Sequence, residues 1–219
     1  MTKILFSFLV TLFAVTANAQ INKGSVLLGG DVGFGDHKNS SNYSSNTYNT
    51  GSISLSIGKA IKENKVVGIS LGFSSAKQVY NPITAGYDTT SQKTNRYNIG
   101  FFYRDYKKLA KDFYFFGQAN AVYSYSNQAY DYNINKLNSY KVVENGGAVS
   151  IAPGIAYKVF KKMFVELSLN NLVYASYSAS NTTYDATDKK LKGHDFSIGT
   201  AFSNNTFLNN VGVGFRFIL

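Results

Sequence analysis

Val67-Gly68-Ile69-Ser70-Leu71-Gly72-Phe73-Ser74 alternates without interruption. Successive side chains of an extended chain point to opposite sides, so Val67, Ile69, Leu71 and Phe73 share one face and Gly68, Ser70, Gly72 and Ser74 the other. Seven further stretches follow the same rule. Leu28, Val32 and Phe34 oppose Gly29, Asp31 and Gly33; Ile53, Leu55 and Ile57 oppose Ser52, Ser54 and Ser56. Tyr97, Ile99, Phe101 and Tyr103 oppose Asn98, Gly100 and Arg104, and Phe115, Ala119, Ala121 and Tyr123 oppose Gln118, Asn120 and Ser124. Val149, Ile151, Ile155 and Tyr157 are set against Ser150, Ala152 and Gly154; Val165, Leu167 and Leu169 against Glu166 and Ser168. Val211, Val213, Phe215 and Phe217 complete the set against Gly212, Gly214 and Arg216. Eight strands are the economical count. No stretch beyond the N-terminal segment holds the ~18 consecutive apolar residues of a membrane helix.

The connections between these stretches alternate in length. Segments 62–65, 107–112 and 159–162 are short and carry Lys with Glu, Asn or Asp; segments 36–50, 76–94, 127–144 and 175–193 are long and rich in Ser, Asn, Thr and Tyr. Short periplasmic turns and long extracellular loops are the asymmetry of outer-membrane barrels. The expected fold is all-β, an eight-stranded antiparallel transmembrane up-and-down barrel whose first and last strands pair, since hydrocarbon tolerates no open sheet edge. A soluble ligand-carrying barrel would also alternate, but it needs a charged outer face. Here the polar face is mostly Gly, Ser, Ala and Asn, which suits a narrow interior better than a solvent face. Phe34, Phe73, Tyr97 and Tyr123 rim the apolar face near the long connections, and Phe115, Tyr157, Phe215 and Phe217 near the short ones.

Two places strain this pattern. Pro153 lies on the apolar side of its stretch, where the missing N–H predicts a lost ladder bond or a bulge. Residues 194–219 exceed the ~9–11 of one crossing, which predicts an outward extension of the last strand over 195–202 and a kink near 203–205.

The N-terminus carries Lys3, an apolar run over 4–15 and Ala17-Asn18-Ala19, the order of a secretory signal with a cleavage site. Residues 1–19 are therefore expected to be removed, leaving 20–219 as one barrel domain exported to the outer membrane of a Gram-negative cell. The chain has no cysteine, so no disulfide framework supports it. The formal charge of +10 comes from scattered lysines rather than a basic block. With a secretion signal, it points away from nucleic acid and toward anionic headgroups and lipopolysaccharide phosphates as partners.

Charges with inward parity are Asp31, Arg96, Arg104, Lys158, Glu166 and Arg216. A cluster of Glu166 with Arg104 or Arg216 is expected in the half nearer the short turns, because interior charges need partners at low dielectric. Barrel closure would also bring Asp36-His37 beside His194-Asp195 at the opposite mouth, where such residues bind a metal or exchange protons. Two loop histidines beside common loop acids is the plainer reading. No serine sits in a nucleophile motif. We expect no enzyme, no metal and no cofactor.

With strands and ends in view, Tyr97-Asn98-Ile99-Gly100-Phe101-Phe102-Tyr103-Arg104-Asp105-Tyr106 and the ending Val211-Gly212-Val213-Gly214-Phe215-Arg216-Phe217-Ile218-Leu219 resemble the small outer-membrane proteins of the OmpA/OmpX type, part of the porin-like superfamily. The likeness is greatest to short "outer membrane beta-barrel protein" families and covers 20–219. In that resemblance Gly212 with Phe215 and Phe217, or Gly214 with Phe217 and Leu219, looks like the signal read by the barrel assembly machinery. The chain ends in Leu rather than Phe and lacks a polar residue before either Gly. Some proteins of this type act on lipid or protein at the extracellular rim, and a narrow pore is a third possibility. Eight strands leave little lumen, however. Tyr43, Tyr48, Tyr80, Tyr87, Tyr130, Tyr132, Tyr140 and Tyr184 stand among Asn, Ser and Thr in the four long segments, a composition that binding loops use. A structural or surface-interaction role through those segments is the expected function.

Overall fold

The alternating stretches form antiparallel strands that run up and down around a barrel. The computed structural model describes residues 21–41, 44–82, 89–133, 138–187, 189–200 and 211–219; the expected signal at 1–19 lies outside them. Strands β1 (Val26–Ser40), β2 (Ser44–Lys62), β3 (Lys65–Pro82), β4 (Thr90–Lys108), β5 (Phe113–Tyr132) and β6 (Tyr140–Phe160) each pair with the next. β7 (Met163–Leu169) and β8 (Val173–Tyr184) both continue on β6. β9 (Lys190–Thr200) pairs with β8; β10 (Val211–Ile218) pairs with β7 and with β1, closing the ring. The wall thus has eight staves, of which the seventh (β7, β8) and eighth (β9, β10) come in two pieces.

Register fixes the tilt. From Val32 through Ile53, Phe73, Tyr97 and Tyr125 the ladder reaches β6 at Asn145. In the other direction, through Val213 and Leu167, it reaches β6 at Ile155. The two arrivals differ by ten residues, the stagger that closing a tilted eight-stranded sheet requires.

The break in the seventh stave explains Pro153. Pairing of β6 runs down to Ile151 opposite Val173 and resumes at Gly154 opposite Ser168, so Ala152 and Pro153 face the interruption. On the other side of it Asn171 has φ 54°, a left-handed conformation that Asn tolerates better than most residues. The proline therefore sits where the ladder has already yielded. In the eighth stave, 201–210 separates β9 from β10, and the kink expected at 203–205 lies outside the described residues. β1 pairs with β10 from Leu27 opposite Ile218 to Val32 opposite Val213; above Val32 it pairs with β2 alone among the described residues.

The long polar segments correct the sequence reading. Most of 36–50, 76–94, 127–144 and 175–193 is strand, not loop: β2 to β6 run 18 to 21 residues, about twice one membrane crossing. The Thr, Tyr and Val scattered through these segments favour strands. Ladder pairing uses backbone alone, so it persists after the apolar alternation ends. The barrel projects well beyond its apolar band, with short connections at its tips.

Within the band the outer face is apolar and uncovered. Phe101 is 69% exposed and Leu55 62%, while Ile69, Ile99, Val149, Ile151 and Leu167 are also open. Aromatic neighbours line both borders, Phe73 against Tyr97 at 5.2 Å and Phe113 against Tyr157 at 4.7 Å. An apolar exterior around a small-residue and polar interior reverses the arrangement of a soluble barrel.

Close packing inside depends on missing side chains. A Cβ on Gly154 would meet the Phe116 ring and lie 2.6 Å from the Leu167 carbonyl oxygen, whereas one on Gly117 would meet nothing. Gly154→Val should lower stability by ~1–3 kcal/mol, the cost of overpacking. Gly117→Ala should leave it unchanged or higher; urea midpoints of the two variants in detergent, followed by the gel shift between folded and boiled protein, check the contrast.

Candidate functional site

The half of the interior near the short turns is a plug. Leu27, Val66, Phe102, Tyr106, Tyr114, Phe116 and Phe164 are buried there with Ile21 beneath them. Ile21 is held by its N–H donating to Asn64 Oδ1 at 3.3 Å and its carbonyl accepting the Asn64 N–H at 3.0 Å. The chain entering the barrel thereby caps its lower end.

Among these side chains lies an ion network, with Arg104 4%, Glu166 3% and Arg216 7% exposed. Arg104 Nη1 donates to both Glu166 oxygens at 2.7 Å, and Arg216 Nε donates to Glu166 Oε2 at 3.1 Å. The Tyr106 hydroxyl donates to Glu166 Oε1 at 2.9 Å and accepts from Arg104 at 2.7 Å. Arg104 Nε donates to Gln118 Oε1 at 2.6 Å, and the guanidinium lies 4.2 Å from the Phe116 ring centre. Arg216 also reaches Ser56 Oγ and, at 3.8 Å, Asp31 Oδ2. Two cations and two carboxylates balance, and Gln118, Tyr106 and Ser56 take further guanidinium N–H groups. The remaining void beside the network is about 10 Å³. A void of that size is about the space of one water.

Sequence parity brought Arg104, Glu166 and Arg216 to one place, and the structure joins all three rather than one pair. It missed Tyr106 and Gln118, although both share the inward parity of Arg104 on β4 and its partner on β5.

The other half is open and polar. A cavity of about 380 Å³ is lined by Tyr48, Thr50, Ser52, Ser74, Gln78, Gln92, Thr94, Arg96 and Gln128. Its amides are preset: Gln92 Nε2 donates to Tyr130 Oη at 2.8 Å, Tyr130 Oη donates to Gln128 Oε1 at 3.1 Å, and Gln78 Nε2 donates to Asn46 Oδ1 at 3.2 Å. Further out Tyr130 stacks on Tyr140 at 4.4 Å, and Tyr140 meets Tyr184 at 5.5 Å. Burial pushes the hydroxyls of Tyr130 and Tyr140 up from their usual range. Gln78 and Gln92 were legible in principle, because the strand parity of 67–74 and 97–104 runs unbroken into 76–94, and Gln128 likewise, because the parity of 115–124 continues through β5. Tyr43 and Tyr87 lie outside the described residues.

The four residues of the two Asp/His pairs do not share one face, and β1 and β9 are not paired among the described residues. Consecutive strand residues face opposite ways, so Asp36 shares the outward side of Phe34 and His37 the inward side of Asp31, with no break in the β1–β2 register. On β9, His194 shares the outward side of Phe196, and Asp195 faces inward. Among the described residues neither histidine has a hydrogen-bond or ion-pair partner, and no three acidic or histidine side chains gather closely enough to hold a metal ion. Within β10, Gly212, Gly214 and Arg216 face the interior while Phe215 and Phe217 face outward; the Leu219 N–H donates to the Val26 carbonyl at 2.8 Å. A Cβ on Gly214 would meet Asp31, and one on Gly29 would meet Arg216, so these glycines make space for the network.

A closed antiparallel barrel with an apolar exterior and a polar, partly filled interior defines the class: an outer-membrane β-barrel. No protein-family model and no curated protein sequence matches the chain. Among solved structures it is similar to a major outer membrane protein from Thermus thermophilus, with 9% identity, TM-score 0.47, and 90% of this chain and 99% of that one covered. It is similar also to the outer membrane protein OprG from Pseudomonas aeruginosa, with 12% identity, TM-score 0.47, and 92% and 99% covered. The outer membrane protease OmpT from Escherichia coli is similar at 10% identity, TM-score 0.38, with 90% and 91% covered.

Proposed function

We propose that this protein is a non-conducting, non-enzymatic barrel of the outer membrane that binds ligands at the cell surface through its projecting strands. In this reading residues 1–19 are cleaved on export, the barrel assembly machinery reads Gly212, Gly214, Phe215, Phe217 and Leu219, and both termini face the periplasm. The observation that carries it is the division of the interior. The turn half is packed around Glu166, while the opposite half opens into a cavity lined by hydroxyls, amides and the Arg96 guanidinium. Among the described residues Arg96 has no hydrogen-bond or ion-pair partner, which suits it to an incoming anion.

Two measurements test this. In planar bilayers the purified barrel should show no stable steps; steady ohmic conductance would overturn the non-conducting assignment. Cells displaying the protein should bind some members of a panel of immobilised glycans and matrix proteins, and Arg96→Gln should weaken that binding about tenfold, the scale of one charged hydrogen bond. Binding equal to that of cells without the protein across the whole panel would sink the surface-binding role.

A further inference from the structure

The outer wall carries a like-charged pair where a sheet ordinarily avoids one. Lys77 on β3 stands directly opposite Lys93 on β4, both outward and exposed. Like charges at directly opposed positions destabilise a sheet. Neither ammonium makes an ion pair among the described residues. In the same ladder row Lys77 faces Asn49 on its other side and Lys93 faces Ala129; the acids on that face are Asp131, diagonal to Lys93 on β5, and Asp36, beyond Asn49 on β1, and neither forms an ion pair with the two lysines.

Depth gives the pair a meaning. Phe73 and Tyr97, the directly opposed aromatics of the border, lie four residues below it on the same two strands and face. Four residues of strand are ~13 Å along the chain, or ~10 Å along the membrane normal at the usual barrel tilt. Aromatic borders sit where hydrocarbon meets water. The lysines therefore stand at the level of lipid headgroups and their sugars, on the side of the long connections. Two ammoniums on adjacent strands, separated by roughly one strand spacing of ~5 Å, can share the oxygens of one phosphate. That contact replaces repulsion with two charge-assisted hydrogen bonds.

We infer that Lys77 and Lys93 form a clamp for the phosphate group of a membrane lipid in the leaflet around the projecting strands. The lipid is a phosphorylated glycolipid or phospholipid held from the side, and the clamp is independent of whatever the mouth binds.

The test uses the refolded full-length protein in nanodiscs doped with a phosphorylated lipid A, against the same lipid dephosphorylated, with retained lipid counted by native mass spectrometry. The wild type should retain the phosphorylated form preferentially. Lys77→Gln/Lys93→Gln should weaken that retention roughly thirtyfold, near the value expected for two lysines at a charged membrane surface. Lys161→Gln/Lys162→Gln, equal in charge change but at a short turn, should leave it intact. Equal loss in both double variants would reduce the effect to net charge and overturn the clamp, as would unchanged retention in the Lys77/Lys93 variant. Complete displacement of the lipid by millimolar inorganic phosphate would overturn it too, by showing a site for the free ion.

Discussion

Replacing Glu166 by alanine should destabilise the barrel by ~3–5 kcal/mol, the usual consequence of removing one partner from a buried ion pair. Glu166 is the hub: Arg104, Arg216 and Tyr106 all converge on its two oxygens. Without it two buried guanidiniums face each other, with only Asp31 at 3.8 Å from one of them to offset the charge. Alanine also leaves a void among side chains that now fill the space. Glu166→Gln keeps shape and one acceptor and should fall between wild type and alanine. A different outcome is expected when the cations leave too. Arg104→Met, Glu166→Leu and Arg216→Leu together should recover most of the loss, since buried ion networks often contribute no more than apolar residues of similar volume. Urea unfolding in detergent micelles, read by circular dichroism and by the folded-to-boiled gel shift, measures all three. A loss under about 1 kcal/mol for the alanine variant, well below the usual cost of an orphaned buried charge, would mean that water reaches the network and the plug is not dry.

The same network shows what was legible in the chain. Period-two alternation is unforgiving, because a slip of one residue exchanges the faces; once 67–74 was in register, the inward sides of Arg104, Glu166 and Arg216 followed. Their convergence needed only the further fact that a narrow, low-dielectric interior holds few charges apart. The extent of the strands was not legible. From 44 to 50 the sequence Ser-Ser-Asn-Thr-Tyr-Asn-Thr carries no apolar stripe, yet all of it pairs with β3 and 45–50 also with β1. Above the membrane both faces meet water, so alternation loses its cause while backbone pairing keeps its own. The interruption of the seventh stave was half visible: Pro153 announced a defect, but the gap opened in its neighbour, at Asn170-Asn171-Leu172. The four Asp/His residues could not all share one face, a point that strand geometry already contained. Asp36-His37 and His194-Asp195 are adjacent in sequence, and adjacency within a strand separates side chains rather than joining them.

Leu167→Arg should cost ~2–4 kcal/mol, because a cation on the lipid face near the midplane of a transmembrane barrel must be dragged to an interface or hydrated within hydrocarbon. Leu167 is 51% exposed on the outer wall, between Ile155 and Val213, both equally open. No inward carboxylate can reach it, since Glu166 next to it points the other way. Asn181→Arg is the matched control. Asn181 is outward on β8, opposite Val143 and Lys192, eight residues beyond Val173 and well above the apolar band; a cation there meets water or headgroups and should change stability by less than about 1 kcal/mol. The contrast isolates the solvent around the barrel, because both substitutions add the same side chain to the outside of the same stave. It would be read in lipid bilayers as the difference in folding free energy, and in detergent-free buffer as the presence or absence of a folded monomer. Equal, small effects at the two positions would place water around Leu167 and contradict a membrane-spanning wall. A large loss at Leu167 alone would put hydrocarbon against it, at the depth where the border of Phe73 and Tyr97 on one side and Phe113 and Tyr157 on the other predicts it.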